Sequence, residues 1–101
     1  MNEVVLSSID EGLDLLGASA KRVLYYYLEE KEKIEREDII TEPEKFILLL
    51  RGIFGPGSAI IERSILFQLQ KKTRRRDLPN TFTRAVAELT NPSKFDTLER
   101  I

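Results

Sequence analysis

The chain contains no cysteine and no histidine, and these two absences exclude most familiar enzyme chemistry. Without cysteine there is no disulfide, no thiolate nucleophile and no cysteine-ligated zinc or iron-sulfur site. Without histidine the chain lacks the most frequent general base and the most frequent metal ligand. We therefore expect a protein that is not an enzyme, with no catalytic residues, no cofactor and no bound metal ion.

Long apolar stretches are also missing. The longest uninterrupted apolar run is residues 23–28, counting the tyrosines, whereas a helix needs about 20 such residues to cross a bilayer. The N-terminal stretch MNEVVLSSID lacks the basic and then apolar pattern of a signal peptide. We expect no membrane association and a cytoplasmic location.

The composition is that of a folded globular chain, with 42% hydrophobic and 33% charged residues in a length of 101. A chain of this length is typical of one domain with one modest core. The net charge is −1, but residues 1–42 carry eleven acids and five bases, whereas residues 43–101 carry six acids and eleven bases. This polarity could align subunits or attract a charged partner to one end.

Apolar residues recur at helical spacing through most of the chain, and they do not alternate with polar residues as in strands. We predict an all-α fold, a compact single-domain bundle of four to six helices. The apolar positions of the first, second and fourth predicted helices are Val5, Ile9, Leu13 and Leu16; Ala20, Val23, Leu24, Tyr27 and Leu28; and Ile60, Ile61, Ile65, Leu66, Phe67 and Leu69. Residues 1–73 form the predicted core domain and residues 74–101 a helical C-terminal extension, with helices over about 80–89 and at the terminus.

Helix ends are indicated by glycine, proline and capping residues. Gly17 is placed to end helix one, and Ser19 is an acceptable N-cap for helix two. Residues 31–40 are expected to form a charged turn held by isoleucines. Thr41 and Glu44 have capping-box spacing at the start of helix three, and Ser93 and Asp96 have the same spacing near the C-terminus.

Helix three, over residues 41–54, is apolar on almost every side, which is typical of a helix at the centre of a core. The sequence GPGS at residues 55–58 then breaks the chain. Gly55 is expected to take a left-handed C-cap conformation there, and the next helix begins at once. At Gly57, a small residue is expected to suffice.

A basic run ends helix four and is the first candidate site. It contains Lys71, Lys72, Arg74, Arg75 and Arg76. These cations could contact an anion or a nucleic-acid backbone, but cations are also favoured at a helix C-terminus. We prefer the helix-end interpretation, because helix four resembles a core helix more than the base-reading helix of a helix-turn-helix or winged-helix protein.

The tyrosines at 25, 26 and 27 point in three directions around helix two, so at least one must leave the core face. Tyr25 and Tyr26 are candidate interface residues, since tyrosine is enriched at interfaces; the alternative is a tyrosine partly buried in the core. An acidic cluster at residues 29–38 could attract a hard cation, but its interspersed lysines and arginine favour a solvated surface of ion pairs.

Three stretches of the chain resemble a family of small helical domains, a predicted output domain of Nitrosopumilus-type archaea. The matching positions are Asp10, Leu13, Leu16 and Gly17; residues 26–29; and Phe46, Ile53, Phe54, Gly55 and Gly57. The resemblance covers about residues 7–73 and implies a helical interaction or output module in signalling, with no assigned reaction. It supplies no site residues.

We therefore predict a non-catalytic regulatory or signalling protein-interaction module. Its expected partners are a second copy of the chain and a protein of unknown identity. The alternative is a small nucleic-acid-binding protein that uses the basic run at residues 71–76.

Overall fold

The computed structural model describes residues 1–90, where the backbone forms helices joined by short connections. The α-helices are α1 Asn2–Gly12, α2 Ala18–Glu32, α3 Pro43–Phe54, α4 Ser58–Thr73 and α5 Phe82–Thr90. Short 3-10 helices, Leu13–Leu16, Arg36–Ile39 and Gly55–Gly57, lie after α1, α2 and α3. This part of the chain contains no strand, and the predicted all-α bundle is confirmed. The terminal helix and capping box predicted after residue 91 lie outside the described residues.

The closest packing joins α1 to α4 at a glycine. A Cβ on Gly12 would lie 2.5 Å from Ile65 Cγ1 and 2.6 Å from Ile65 Cα. Carbon atoms in contact normally stand about 3.5–4.0 Å apart, so this position has no room for a side chain. Ile65 is fully buried, as are Ile9 and Leu13 on either side of Gly12 in the sequence. The absence of a Cβ at Gly12 therefore sets how closely the two helices approach.

The third helix, α3, buries one face rather than several sides. Phe46, Ile47, Leu49 and Leu50 are buried, and α3 contacts α2, α4 and α5. Leu48, however, is 61% exposed. The prediction of burial nearly all round was therefore wrong, because α2, α4 and α5 cover only one side of the helix.

The predicted apolar faces of α2 and α4 are also narrower in the structure. On α2 only Leu24 and Leu28 of the predicted stripe are buried, and on α4 both Ile60 and Phe67 are exposed. The buried side of α2 is turned toward Tyr25, which hydrogen-bonds Asp10 of α1. Val23 and Tyr27 of the predicted stripe lie on the exposed side.

The connection from α2 to α3 is a charged turn held by isoleucines, as the sequence predicts, and it contains the 3-10 helix Arg36–Ile39. Ile34 and Ile39 are buried, at 4% and 0% exposure. The capping box predicted at Thr41 and Glu44 is not the one that forms. It lies instead at Glu35, whose backbone N–H donates to Asp38 Oδ2 at 3.0 Å. Thr41 Oγ1 donates to the Asp38 carbonyl.

Two glycines adopt positive φ where helices end. Gly17 has φ 86° and is the N-cap of α2, so the predicted N-cap at Ser19 was wrong. Gly55 has φ 55° and ψ −132° and is the C-cap of α3. Its positive φ is as predicted, but the ψ value lies in the mirror image of the extended region rather than in the left-handed helical region. Glycine adopts that mirror-image region readily and other residues do not.

Gly55→Ala should therefore destabilise the fold through backbone strain alone, by about 1–3 kcal/mol. No atom lies within 4 Å of the position that its Cβ would take, so there is no clash to relieve. The matched control is Gly57→Ala, where φ is negative and the nearest atom, Phe54 Cβ, is 3.9 Å away. Urea denaturation of both variants tests this, and equal midpoints would contradict it.

The last described helix, α5, packs against the same core as the other four. Its buried residues Phe82, Ala85, Val86 and Leu89 follow helical spacing, and the rings of Phe46 and Phe82 are 5.6 Å apart. These residues come from the segment 74–101 that the sequence separates from residues 1–73. Among residues 1–90, no helix combines the length and the apolar character that crossing a membrane requires.

Candidate functional site

Some residues of the basic run form ion pairs within the bundle, whereas others are exposed to solvent. Lys72 Nζ lies 2.9 Å from Glu11 Oε2, which links α4 to α1. Arg75 lies 3.2 Å from Asp77 and also pairs with Glu88 of α5. These two cations therefore connect elements of the bundle.

Arg74 has a separate backbone role, because it ends α4 with φ 58° and ψ 30°. This left-handed conformation closes helices frequently, and here the N–H groups of Arg74 and Arg75 both donate to the Gln70 carbonyl. Lys33 ends α2 in the same way, with φ 59°. Lys71 and Arg76 are exposed. Lys72 and Arg75 are thus engaged by carboxylates, and Arg74 closes the helix through its backbone. The choice between the helix-end and anion-binding interpretations of the run stays a prediction.

The three consecutive tyrosines have three different environments. Tyr25 is partly buried, and its hydroxyl donates to Asp10 Oδ1 at 2.5 Å. Tyr26 is 59% exposed. Tyr27 is 39% exposed, and Lys31 Nζ stands 5.4 Å from its ring centroid. Of the two predicted interface residues, Tyr26 is therefore available at the surface, whereas Tyr25 is engaged within the fold.

Asp10 is the centre of a polar cluster that joins α1, α2 and the 3-10 helix after α2. Arg36 donates from Nε to Asp10 Oδ1 at 3.1 Å and from NH2 to Oδ2 at 2.5 Å. Lys21 Nζ donates to the Asp10 backbone carbonyl at 3.2 Å. Three sequence segments, up to 26 residues apart, therefore meet at one carboxylate.

The cluster shifts the pKa values of its members in directions that favour the observed contacts. Burial raises the pKa of Asp10, but hydrogen bonds from Arg36 and Tyr25 outweigh it and hold that pKa below 3.8. Burial, and then the hydrogen bond to Asp10, raise the pKa of Tyr25 well above 10.0. A carboxylate with a lowered pKa stabilises the fold above pH 3.8 and loses that contribution as the pH falls further. A phenol with a raised pKa contributes below pH 10.0 and loses its contribution as the pH rises.

We expect an alkaline titration of phenolate absorbance to contain a late component from Tyr25, because the folded state retains its proton above pH 10.0. Tyr25→Phe should remove this component, whereas Tyr26→Phe should leave it in place. Unfolding the wild type in denaturant should also abolish it. A late component that survives in Tyr25→Phe would contradict the proposed position of the phenol.

An exposed apolar groove lies between α2 and the end of α3. Its volume is about 330 Å³, and its lining is Ser19, Ala20, Val23, Leu24, Tyr27, Ile53 and Phe54. Val23 and Ile53 are 50% and 42% exposed. The lining contains no charged side chain. We call this surface the α2–α3 groove.

The sequence analysis did not identify this groove, because the helical spacing of Val23 and Tyr27 predicted that both belong to the buried apolar face of helix two. Ile53 and Phe54 come from a helix that the sequence places at the centre of the core. The three tyrosines were the only indication, since they require that part of an apolar surface point outward. Across residues 1–90, no group of three or more acidic side chains is arranged to hold a metal ion.

Comparison with known proteins identifies no relative: no protein-family model, curated protein or solved structure matches the chain.

Proposed function

We propose that the protein is a non-catalytic regulatory interaction module that self-associates through the α2–α3 groove. The observation that supports this most directly is the uncharged, exposed lining around Val23, Tyr27 and Ile53. Exposed apolar patches rimmed by polar residues mark sites of protein association. The resemblance to an archaeal output domain remains a prediction, and it agrees with a role in signalling.

A second copy of the chain is the occupant that the charges of α2 favour. The exposed residues Arg22 and Glu30 lie on either side of Tyr26, each four residues away. Tyr26 does not line the groove, but it neighbours Val23 and Tyr27 on the exposed side of α2. If two α2 helices pack antiparallel about a two-fold axis at Tyr26, Arg22 of each copy meets Glu30 of the other. A two-fold interface repeats each contact, so one complementary pair is satisfied twice. Val23 and Tyr27 would then be covered by the facing helix.

The absence of cysteine allows a sharp test of this arrangement. Tyr26→Cys should form an intermolecular disulfide under mild oxidation, because residues on the axis of two helices packed at about 8–10 Å are within reach. The matched control is Ile60→Cys, at a position of similar exposure on α4, 64% against 59%. Non-reducing electrophoresis should show a rapid dimer for Tyr26→Cys only. Equal rates for both variants would overturn the antiparallel arrangement.

A further inference from the structure

A second concave surface lies where α3, α4 and α5 meet. Two adjoining grooves of about 480 Å³ and 450 Å³ share Arg51, Glu62 and Thr81 in their linings. Arg63 lines the first, and Arg84 lines the second. We call the combined surface the arginine groove, defined by Arg51, Arg63 and Arg84.

The three arginines come from three different helices, and each is exposed. None of them forms an ion pair with another residue in the described range 1–90. In the same bundle, Arg36 and Arg75 are held by carboxylates. The arginine groove therefore contains three guanidinium groups that form no ion pair within the described part of the chain.

The acidic residue at the centre of the groove has a structural role. Glu62 Oε1 accepts a hydrogen bond at 2.9 Å from the backbone N–H of Phe82, the first residue of α5. A carboxylate at a helix N-terminus satisfies a free N–H and is favoured by the helix dipole. Glu44 also lines the second groove, so the lining carries three arginines against two carboxylates, one of which is already engaged. The surface therefore favours an anionic ligand.

Apolar side chains flank the arginines. Leu48 is 61% exposed in one groove, and Phe67 is 59% exposed in the other. Lys71, which is exposed, follows Phe67 by four residues on α4 and adds a cation to the same helix face. Nucleic-acid bases would stack on Phe67, but an aliphatic side chain such as Leu48 offers no stacking surface. Leu48 instead suits an apolar side chain, which a peptide carries and a nucleic acid does not.

We propose that the arginine groove binds an acidic amphipathic segment of a partner protein. Carboxylates of the segment pair with Arg51, Arg63 and Arg84, and its apolar side chains contact Leu48 and Phe67. Arginine suits this task because its planar fork binds a carboxylate through two parallel hydrogen bonds. The arginine groove and the α2–α3 groove share no lining residue, so the proposal does not depend on self-association.

The test uses three fluorescent probes and the full chain. The probes are a designed amphipathic helix of leucine and glutamate, the same peptide with glutamine in place of glutamate, and single-stranded oligothymidylate. The binding variant carries Arg51→Gln, Arg63→Gln and Arg84→Gln. The charge-matched control carries Lys31→Gln, Lys33→Gln and Lys45→Gln. Circular dichroism and the thermal midpoint establish that each variant is folded.

We expect the wild type to bind the acidic peptide at micromolar concentration, measured by fluorescence anisotropy. The triple arginine variant should bind the acidic peptide at least about tenfold more weakly, because each exposed ion pair changes the dissociation constant by a factor of a few. The lysine control should bind within about twofold of the wild type, and Phe67→Ser should weaken binding without changing its salt dependence. Val23→Ser, in the other groove, should bind normally.

Three results would overturn the proposal: no binding of the acidic peptide by the wild type, equal losses in the arginine and lysine variants, or tighter binding of oligothymidylate than of the acidic peptide. The last of these would assign the surface to single-stranded nucleic acid.

Discussion

Gly12→Ala should destabilise the protein by about 3 kcal/mol or more, at the upper end of the cost of overpacking a core. The added methyl would lie 2.5 Å from Ile65 Cγ1, 2.6 Å from its Cα and 2.8 Å from its backbone nitrogen. A side-chain atom could move aside, but two of the three atoms are backbone of α4. The clash with Ile65 can therefore be removed only if α1 and α4 move apart. That movement would loosen the packing around Ile9 and Leu13. Urea denaturation measures the effect directly.

The matched control is Gly52→Ala in α3. No atom lies within 4 Å of the position that its Cβ would take, and Gly52 is inside a regular helix. Alanine there should stabilise the protein by about 0.5–1 kcal/mol, because glycine is a poor helix former. If Gly12→Ala lowers the free energy of unfolding and Gly52→Ala raises it, then packing at Gly12, rather than helix propensity, decides the effect. A Gly12→Ala midpoint equal to that of the wild type would show that the helices are farther apart.

Phe46→Ala is the second large effect that we expect, with a loss of about 3–5 kcal/mol. The side chain is fully buried and its ring centroid is 5.6 Å from that of Phe82. The substitution removes apolar surface from the core and leaves a cavity between α3 and α5. A domain of ordinary stability has only about 5–15 kcal/mol in total, so this variant should be close to unfolding.

Leu48→Ala, two positions along the same helix, provides the comparison. Leu48 is 61% exposed, and substitutions on the surface usually change stability by less than about 0.5 kcal/mol. Thermal unfolding followed by circular dichroism should separate the two variants clearly. Similar thermal midpoints for Phe46→Ala and Leu48→Ala would mean that the face of α3 containing Phe46 is not the buried one.

The fold class was readable from the sequence because helical spacing and helix-ending residues agree along most of the chain. Gly17, Gly55 and the isoleucines at 34 and 39 all act near the predicted places. The closest helix pair was not readable. Gly12 continues a regular helical pattern, and a glycine reveals a close approach only when the helix that faces it is known.

The candidate surfaces were harder to predict, because periodicity marks an apolar face without fixing its width. Tyr25 bonds to Asp10 on the buried side of α2, whereas Val23 and Tyr27 are exposed. The contact joins residues 15 apart in the chain, so no local pattern contains it. Arg51, Arg63 and Arg84 are likewise isolated in sequence, and only the packing of α3, α4 and α5 brings them to one surface. The sequence analysis chose the basic run at 71–76 as its candidate site because the run is dense. In the structure, Lys72 and Arg75 form ion pairs within the bundle, and Arg74 closes α4.

Self-association through the α2–α3 groove is the central claim, and sedimentation equilibrium over a range of micromolar loadings tests it most directly. The wild type should approach twice its monomer mass of 11.7 kDa as its concentration rises. Val23→Ser combined with Ile53→Ser should stay monomeric and folded, since both side chains are about half exposed. A wild type that sediments as a monomer at every loading would contradict the claim, and so would a double variant that dimerises as well as the wild type.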